Sequence, residues 1–172
     1  MKDIIRKYLE ITKWLASSLS LYSRWVVLLL VLVTIFDVVA RYFFNSPTIW
    51  GYDTVCMLGG TVSMLGWNYV EQKDAHVRVD VFYDSMSDKG KALVNVLGSV
   101  FIGFPIILSY IFISFQWAIN SWISKEVLMT SFWYPPSFPI RTMMFIGFLL
   151  FFLVFLNKFI RNLYFLIKGD RI

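Results

Sequence analysis

Cysteine and histidine are almost missing from this chain: Cys56 and His76 stand alone among 172 residues. A single cysteine excludes a disulfide framework, a CxxC redox pair and a cysteine-built zinc site. A single histidine excludes a haem held by two histidines of the same chain. Charge is also scarce, at 16% of residues. No basic stripe survives outside the flanks of the apolar runs, so the chain has no nucleic-acid footprint. Apolar residues fill the gap, with 58% hydrophobic and 19% aromatic. An ordinary soluble domain is roughly 45–50% apolar, and one this small has too little interior to hide the excess. Disordered chains are poor in these same residues. The natural solvent for this composition is lipid.

The few charges bracket long apolar runs, and a helix needs about 20 apolar residues to cross a bilayer. The pattern predicts an all-α integral membrane protein, a single membrane domain with four transmembrane helices at about 23–44, 52–70, 92–123 and 140–160. The third run, Ala92 to Ile123, has 32 residues and no Asp, Glu, Lys, Arg or His. As a straight helix it would span about 48 Å, well beyond a hydrocarbon core of about 30 Å. It must tilt, protrude or kink, and Pro105 is the expected kink. Trp117 and Trp122 would sit near the far interface.

Lysine and arginine set the orientation. Thirteen lie in the N-terminal segment, the second loop and the C-terminal tail, against three (Arg41, Lys125, Arg141) in the first and third loops. The positive-inside rule then puts both termini and the middle loop in the cytoplasm. A cleaved signal peptide is not expected: Val38-Val39-Ala40 is a passable site, but the basic region before the apolar run is already patterned.

That region, 1–22, repeats Ile4, Tyr8, Ile11, Leu15, Leu19 and Tyr22 on one helical stripe. It is expected as an amphipathic interfacial helix, with a plain continuation of the first span as the alternative. A short cytoplasmic interfacial helix is expected between spans two and three, where Val79, Phe82, Tyr83 and Met86 share a face. Asp88 is the candidate cap of the third span. The third loop, Trp133-Tyr134-Pro135-Pro136-Ser137-Phe138-Pro139, forbids a continuous helix. It is either a re-entry turn or a docking surface on the outer face.

Candidate functional residues are few. Asp37 is the one clear intramembrane acid, with Arg41 four residues on, the favourable order for a helical ion pair. It is read as a local pair, as a coupling carboxylate, or as half of a pair with another polypeptide. Asp53 suits the positive end of the second helix. His76 and Asp80 are spaced to pair on one helical face. Gly59, Gly60, Ser63 and Gly66 make a small-residue seam in span two, for packing within the bundle or against a larger partner. Bulky residues at Gly59, Gly60 or Ser63 are expected to impair packing or assembly. Cys56, in the same span, reads as a small apolar filler. No catalytic group, cofactor site or metal cluster is expected, and the chain is not read as an enzyme.

Two blocks carry a family resemblance. Val38-Val39-Ala40-Arg41-Tyr42-Phe43-Phe44-Asn45 followed by Trp50, and then Gly66 with His76-Val77-Arg78-Val79-Asp80, resemble the small membrane subunit (DctQ-like, Q subunit) of tripartite ATP-independent periplasmic (TRAP) transporters. The resemblance runs over about Ser23 to Ile160. Where that family often has a pair of acids after the tryptophan, Gly51-Tyr52-Asp53 supplies one. The resemblance implies four spans in the bacterial inner membrane with both termini inside. It implies a sodium-driven transporter of organic-acid-type solutes, in which a periplasmic solute-binding protein captures the cargo. A large elevator-type membrane subunit (M type) carries it, and the small subunit is a scaffold in membrane lipid. The competing expectation is a self-sufficient four-span transporter using Asp37.

Overall fold

The structure, a computed structural model, describes residues 2–73 and 86–169. Its first element, α1, is a single helix over Lys2–Phe43. Forty-two residues span about 63 Å at 1.5 Å per residue. Residues 2–22 of the N-terminal segment therefore run unbroken into the first apolar run rather than standing apart from it. No glycine or proline precedes Pro47, so nothing in the chain stops the helix earlier. It ends where Asn45 takes a positive φ of 49° and the Ser46 amide closes onto the Ala40 carbonyl at 3.1 Å.

Helix α2 covers Gly51–Gln72, with Trp50 at its N-cap and Asp53 in its first turn. Helix α3 covers Asp88–Gly98. Its cap is Ser87, whose hydroxyl accepts from the Gly90 amide at 3.3 Å; Asp88, the expected cap, lies one residue inside. A π-helical turn, Ser99–Gly103, joins α3 to α4, Phe104–Ser124. The interruption expected at Pro105 thus takes the form of a wide turn just ahead of it, where the missing amide is accommodated without ending the helix. The last helix, α5, covers Phe138–Lys168 and has Pro139 in its first turn, where no amide partner is needed.

Three of these units are long and apolar enough to cross a membrane: α1 from Lys7 to Phe43, α3–α4 from Asp88 to Ser124, and α5. Helix α2 is not among them, although its 22 residues span about 33 Å. The expected interfacial helix of the middle loop lies outside the described residues, apart from Met86 near its end.

Packing runs as a chain of neighbours. Helix α1 lies on α2, α2 on α5, and α5 on α3 and α4, while α1 reaches α5 over a shorter stretch. Among the described residues, α1 and α2 have no comparable packing against α3–α4. The centre is therefore α5. On α1 the side facing α2 is a narrow stripe, Ser23, Val26, Leu30, Val33, Asp37 and Ala40 at three- and four-residue spacing, and the residues between are exposed. Among the described residues, buried apolar side chains are few: Leu9, Leu65, Ala92, Ile107, Ala118 and Val154.

Candidate functional site

The polar groups gather at the two ends of the bundle. At the end holding the loops after α1 and α4, two carboxylates organise the chain. Asp37 accepts from Arg41 at 2.9 Å, from the Thr48 amide at 3.2 Å, and from the Thr48 hydroxyl. The expected i, i+4 pair is present, and it also holds the first loop. Gly51 is packed against this group: a Cβ there would come within 2.9 Å of the Asp37 carboxylate. Trp50 stacks on Phe36 at 5.9 Å between ring centres.

Asp53 is 1% exposed. Its two oxygens accept from the hydroxyls of Thr130 and Ser131, far along the chain in the loop between α4 and α5. The carboxylate also sits in the first turn of α2, where the helix dipole favours negative charge. A charge this buried needs such donors, because desolvation alone would push it out. Ser131 in turn accepts from the Trp133 amide at 3.1 Å.

The rest of that loop is equally tied. Val127 and Pro136 form a β-bridge, and Leu128 donates to the Pro135 carbonyl at 2.8 Å. Glu126 and Arg141 make a two-pronged ion pair at 2.6 and 2.8 Å, a geometry that fixes both planes. Arg141 also lies over Trp117, and Trp122 donates to the Thr142 hydroxyl at 3.0 Å.

At the opposite end, α1 is latched to α2 and α5. Tyr8 donates to the Leu153 carbonyl at 3.0 Å, Asn157 to the Thr12 hydroxyl at 2.6 Å, and Gln72 to the Lys13 carbonyl at 2.9 Å. Buried Glu71 pairs with Lys158 at 3.1 Å. Asn68, also buried, donates to the Met64 carbonyl at 2.7 Å. Its Oδ1 has no hydrogen-bond partner, and the residue borders a cavity of about 10 Å³, lined also by Thr12 and leucines of α1 and α5. That volume is about one water.

The small-residue seam divides. Gly59 faces Leu30 of α1, its Cβ position 3.7 Å away, and Gly60 faces Ile140 of α5 at 3.5 Å. Nothing stands within 4 Å of a Cβ at Gly66, and Ser63 is exposed. Cys56 is exposed rather than filling the interior. His76 and Asp80 lie outside the described residues. The closest helix approaches are elsewhere: a side chain on Gly103 would collide with the Phe155 ring, and one on Gly147 would meet Met64 Cβ at 2.9 Å. Among the described residues, no three His, Cys, Asp or Glu side chains converge as a metal cluster would.

Thr48, Thr130, Ser131, Asn68, Asn157, Gly103 and Gly147 are the structurally important residues that the sequence did not single out. Asn68 and Asn157 had a visible signal, as amides set in apolar helices. The hydroxyls had none, because their carboxylate partners are remote in sequence.

Fold and polar sites together define an all-helical membrane protein in which, among the described residues, Asp37, Asp53, Glu71 and Glu126 fasten its own helices and loops. The chain matches the family model described as tripartite ATP-independent periplasmic transporters, DctQ component, over residues 30–164, and it belongs to that family. It is a membrane component of a TRAP transporter. Among the curated proteins, none matches the sequence.

Proposed function

We propose that this chain is the stationary scaffold of its transporter, binding and steadying a larger elevator-type membrane subunit without carrying solute itself. The observation that carries this is a contrast within the chain. Asp37 and Asp53 are occupied by donors of the same chain. By contrast, large apolar side chains along α1 and α4, such as Leu32, Ile35, Phe112 and Ile113, are exposed. A carrier needs polar groups left available for cargo or ions; a frame needs lateral surface. Helix packing in a row leaves that surface on offer.

In this reading α2 is the fourth span, both termini are cytoplasmic, and the membrane is the bacterial inner membrane. The open side of α2, where Cys56 and Ser63 are exposed and nothing stands within 4 Å of a Cβ at Gly66, would let a partner helix approach closely. A periplasmic solute-binding protein completes the complex, and sodium drives uptake of an organic-acid-type solute through the large subunit. The Asp37 self-sufficient carrier is disfavoured by the three donors already on that carboxylate.

The test has two arms. Tagged chain purified in mild detergent from cells expressing its companions should bring down a much larger multispanning protein. Reconstituted alone in liposomes under a sodium gradient, it should take up no solute. Uptake by the chain alone overturns the proposal, as does purification without a companion.

A further inference from the structure

The two loops at the Asp37–Asp53 end contain no Asp, Glu, Lys, Arg or His over Tyr42–Tyr52 or over Val127–Ile140. What they expose is aromatic and apolar. Phe43 is 82% exposed, Met129 83% and Phe132 87%. Phe44, Trp133 and Tyr134 are exposed beside them.

Exposed apolar loop tips are usually mobile, yet these are held. Asp53 at the start of α2 ties down Thr130 and Ser131, so the α4–α5 loop is fastened to the base of the α1–α2 loop. Asp37 holds Thr48, and the Glu126–Arg141 pair and the Val127–Pro136 bridge close the remaining edges. The loops also satisfy polar groups internally, through the Trp133 amide on Ser131 and the Leu128 amide on Pro135. Self-satisfied backbone is what an environment short of water demands.

Length sets the depth. Helix α2 starts at Gly51 and spans about 33 Å, close to a hydrocarbon core of about 30 Å. With α2 read as the fourth span, that match puts the loops at the hydrocarbon boundary. Charge at this end stands at the edges of the loops, in the Arg41–Asp37 and Arg141–Glu126 pairs and on exposed Lys125, while the tips between them are aromatic and apolar. Trp and Tyr are favoured at the headgroup level.

We infer that this end is an aromatic collar seated in the lipid headgroup layer, a rigid interfacial anchor rather than a platform projecting into water. Its partner is the phospholipid surface. The inference rests on the membrane reading above and adds where this end sits and what it touches. By this anchor α2 and the α4–α5 corner are pinned at one depth, as a fixed frame requires.

The test uses the full chain in phospholipid vesicles, with Cys56→Ser removing the one native thiol. An environment-sensitive fluorophore is attached at Phe132→Cys, Phe43→Cys or, as a mid-span reference, Leu32→Cys. All three positions are exposed, so the substitutions disturb no packing. A collar about 5–10 Å deep should make a spin label near the headgroup quench the two loop positions about twofold more than one at the acyl terminus. Leu32 should show the reverse order, and aqueous iodide should quench the loop positions weakly. Strong iodide quenching without lipid quenching overturns the inference. So does shielding from both quenchers that occurs only once the large subunit is co-reconstituted, since the collar would then be a protein contact. The readout needs neither transport nor a companion. Failure here leaves the scaffold proposal standing, and failure to co-purify leaves the depth result standing.

Discussion

The two ends of the molecule are held by different chemistry. The loop end uses carboxylates as hubs: Asp37 gathers Arg41 and Thr48, and Asp53 gathers Thr130 and Ser131. The opposite end uses direct contacts between helices, among them Asn157 on Thr12, Gln72 on the Lys13 carbonyl and Lys158 on Glu71. A hub joins segments remote in sequence and orders loops that have no helix of their own. Helix-to-helix latches align elements that are already helical. The first arrangement suits a surface that must keep its shape without secondary structure; the second suits a long helix that needs only its register fixed.

The sharpest way to break this contrast is Asp53→Ala. It removes two charge-assisted hydrogen bonds, each worth about 1.5–3 kcal/mol, and returns part of the cost of burying the charge. A net loss of about 2–3 kcal/mol is expected, with the melting temperature in detergent falling accordingly. Asp53→Asn keeps an acceptor for one hydroxyl and should lose about half as much. Proteolysis within 125–137 should rise in step. A melting temperature unchanged by Asp53→Ala would mean that the loop does not depend on its hub.

Asn157→Ala tests the other end and should cost less, about 1 kcal/mol, because Thr12 keeps its bonds to the Tyr8 and Leu9 carbonyls. The effect should be local. Hydrogen exchange is expected to quicken over residues 8–13 while the loop end keeps its protection. Loss of protection at both ends would show that the latch is as global as the hub, and the distinction would fall.

Much of this arrangement was legible beforehand. Apolar runs bracketed by charge give α1, the α3–α4 unit and α5, and an acid followed by arginine four residues on gives the Asp37–Arg41 pair. Other features were not. The N-terminal segment has a stripe that serves equally for a lipid surface or for the ends of α2 and α5, and periodicity does not name the partner. Gly59 and Gly60 drew notice because small residues cluster there, yet Gly147 sits tight against Met64 with no cluster around it. A close approach depends on the facing helix, which single-chain spacing leaves open. Asp53 looked like a simple helix-terminal acid because its partners lie some 77 residues away.

The smallest expected effect is at Asp37, and it decides the most. Arg41 is half-exposed, and ion pairs of that kind contribute about 0–1 kcal/mol. Asp37→Asn keeps an acceptor for Thr48, so the melting temperature should shift by a degree or two at most, consistent with a change under about 1 kcal/mol. Sodium-dependent uptake by the complete transporter should persist, because a carboxylate already filled by Arg41 and Thr48 acts on the position of the first loop rather than on an ion. If uptake were abolished while assembly and melting stayed normal, Asp37 would be handling the ion directly. The loop end would then be a working site, and the scaffold proposal would have to give way at the residue where sequence first raised the alternative.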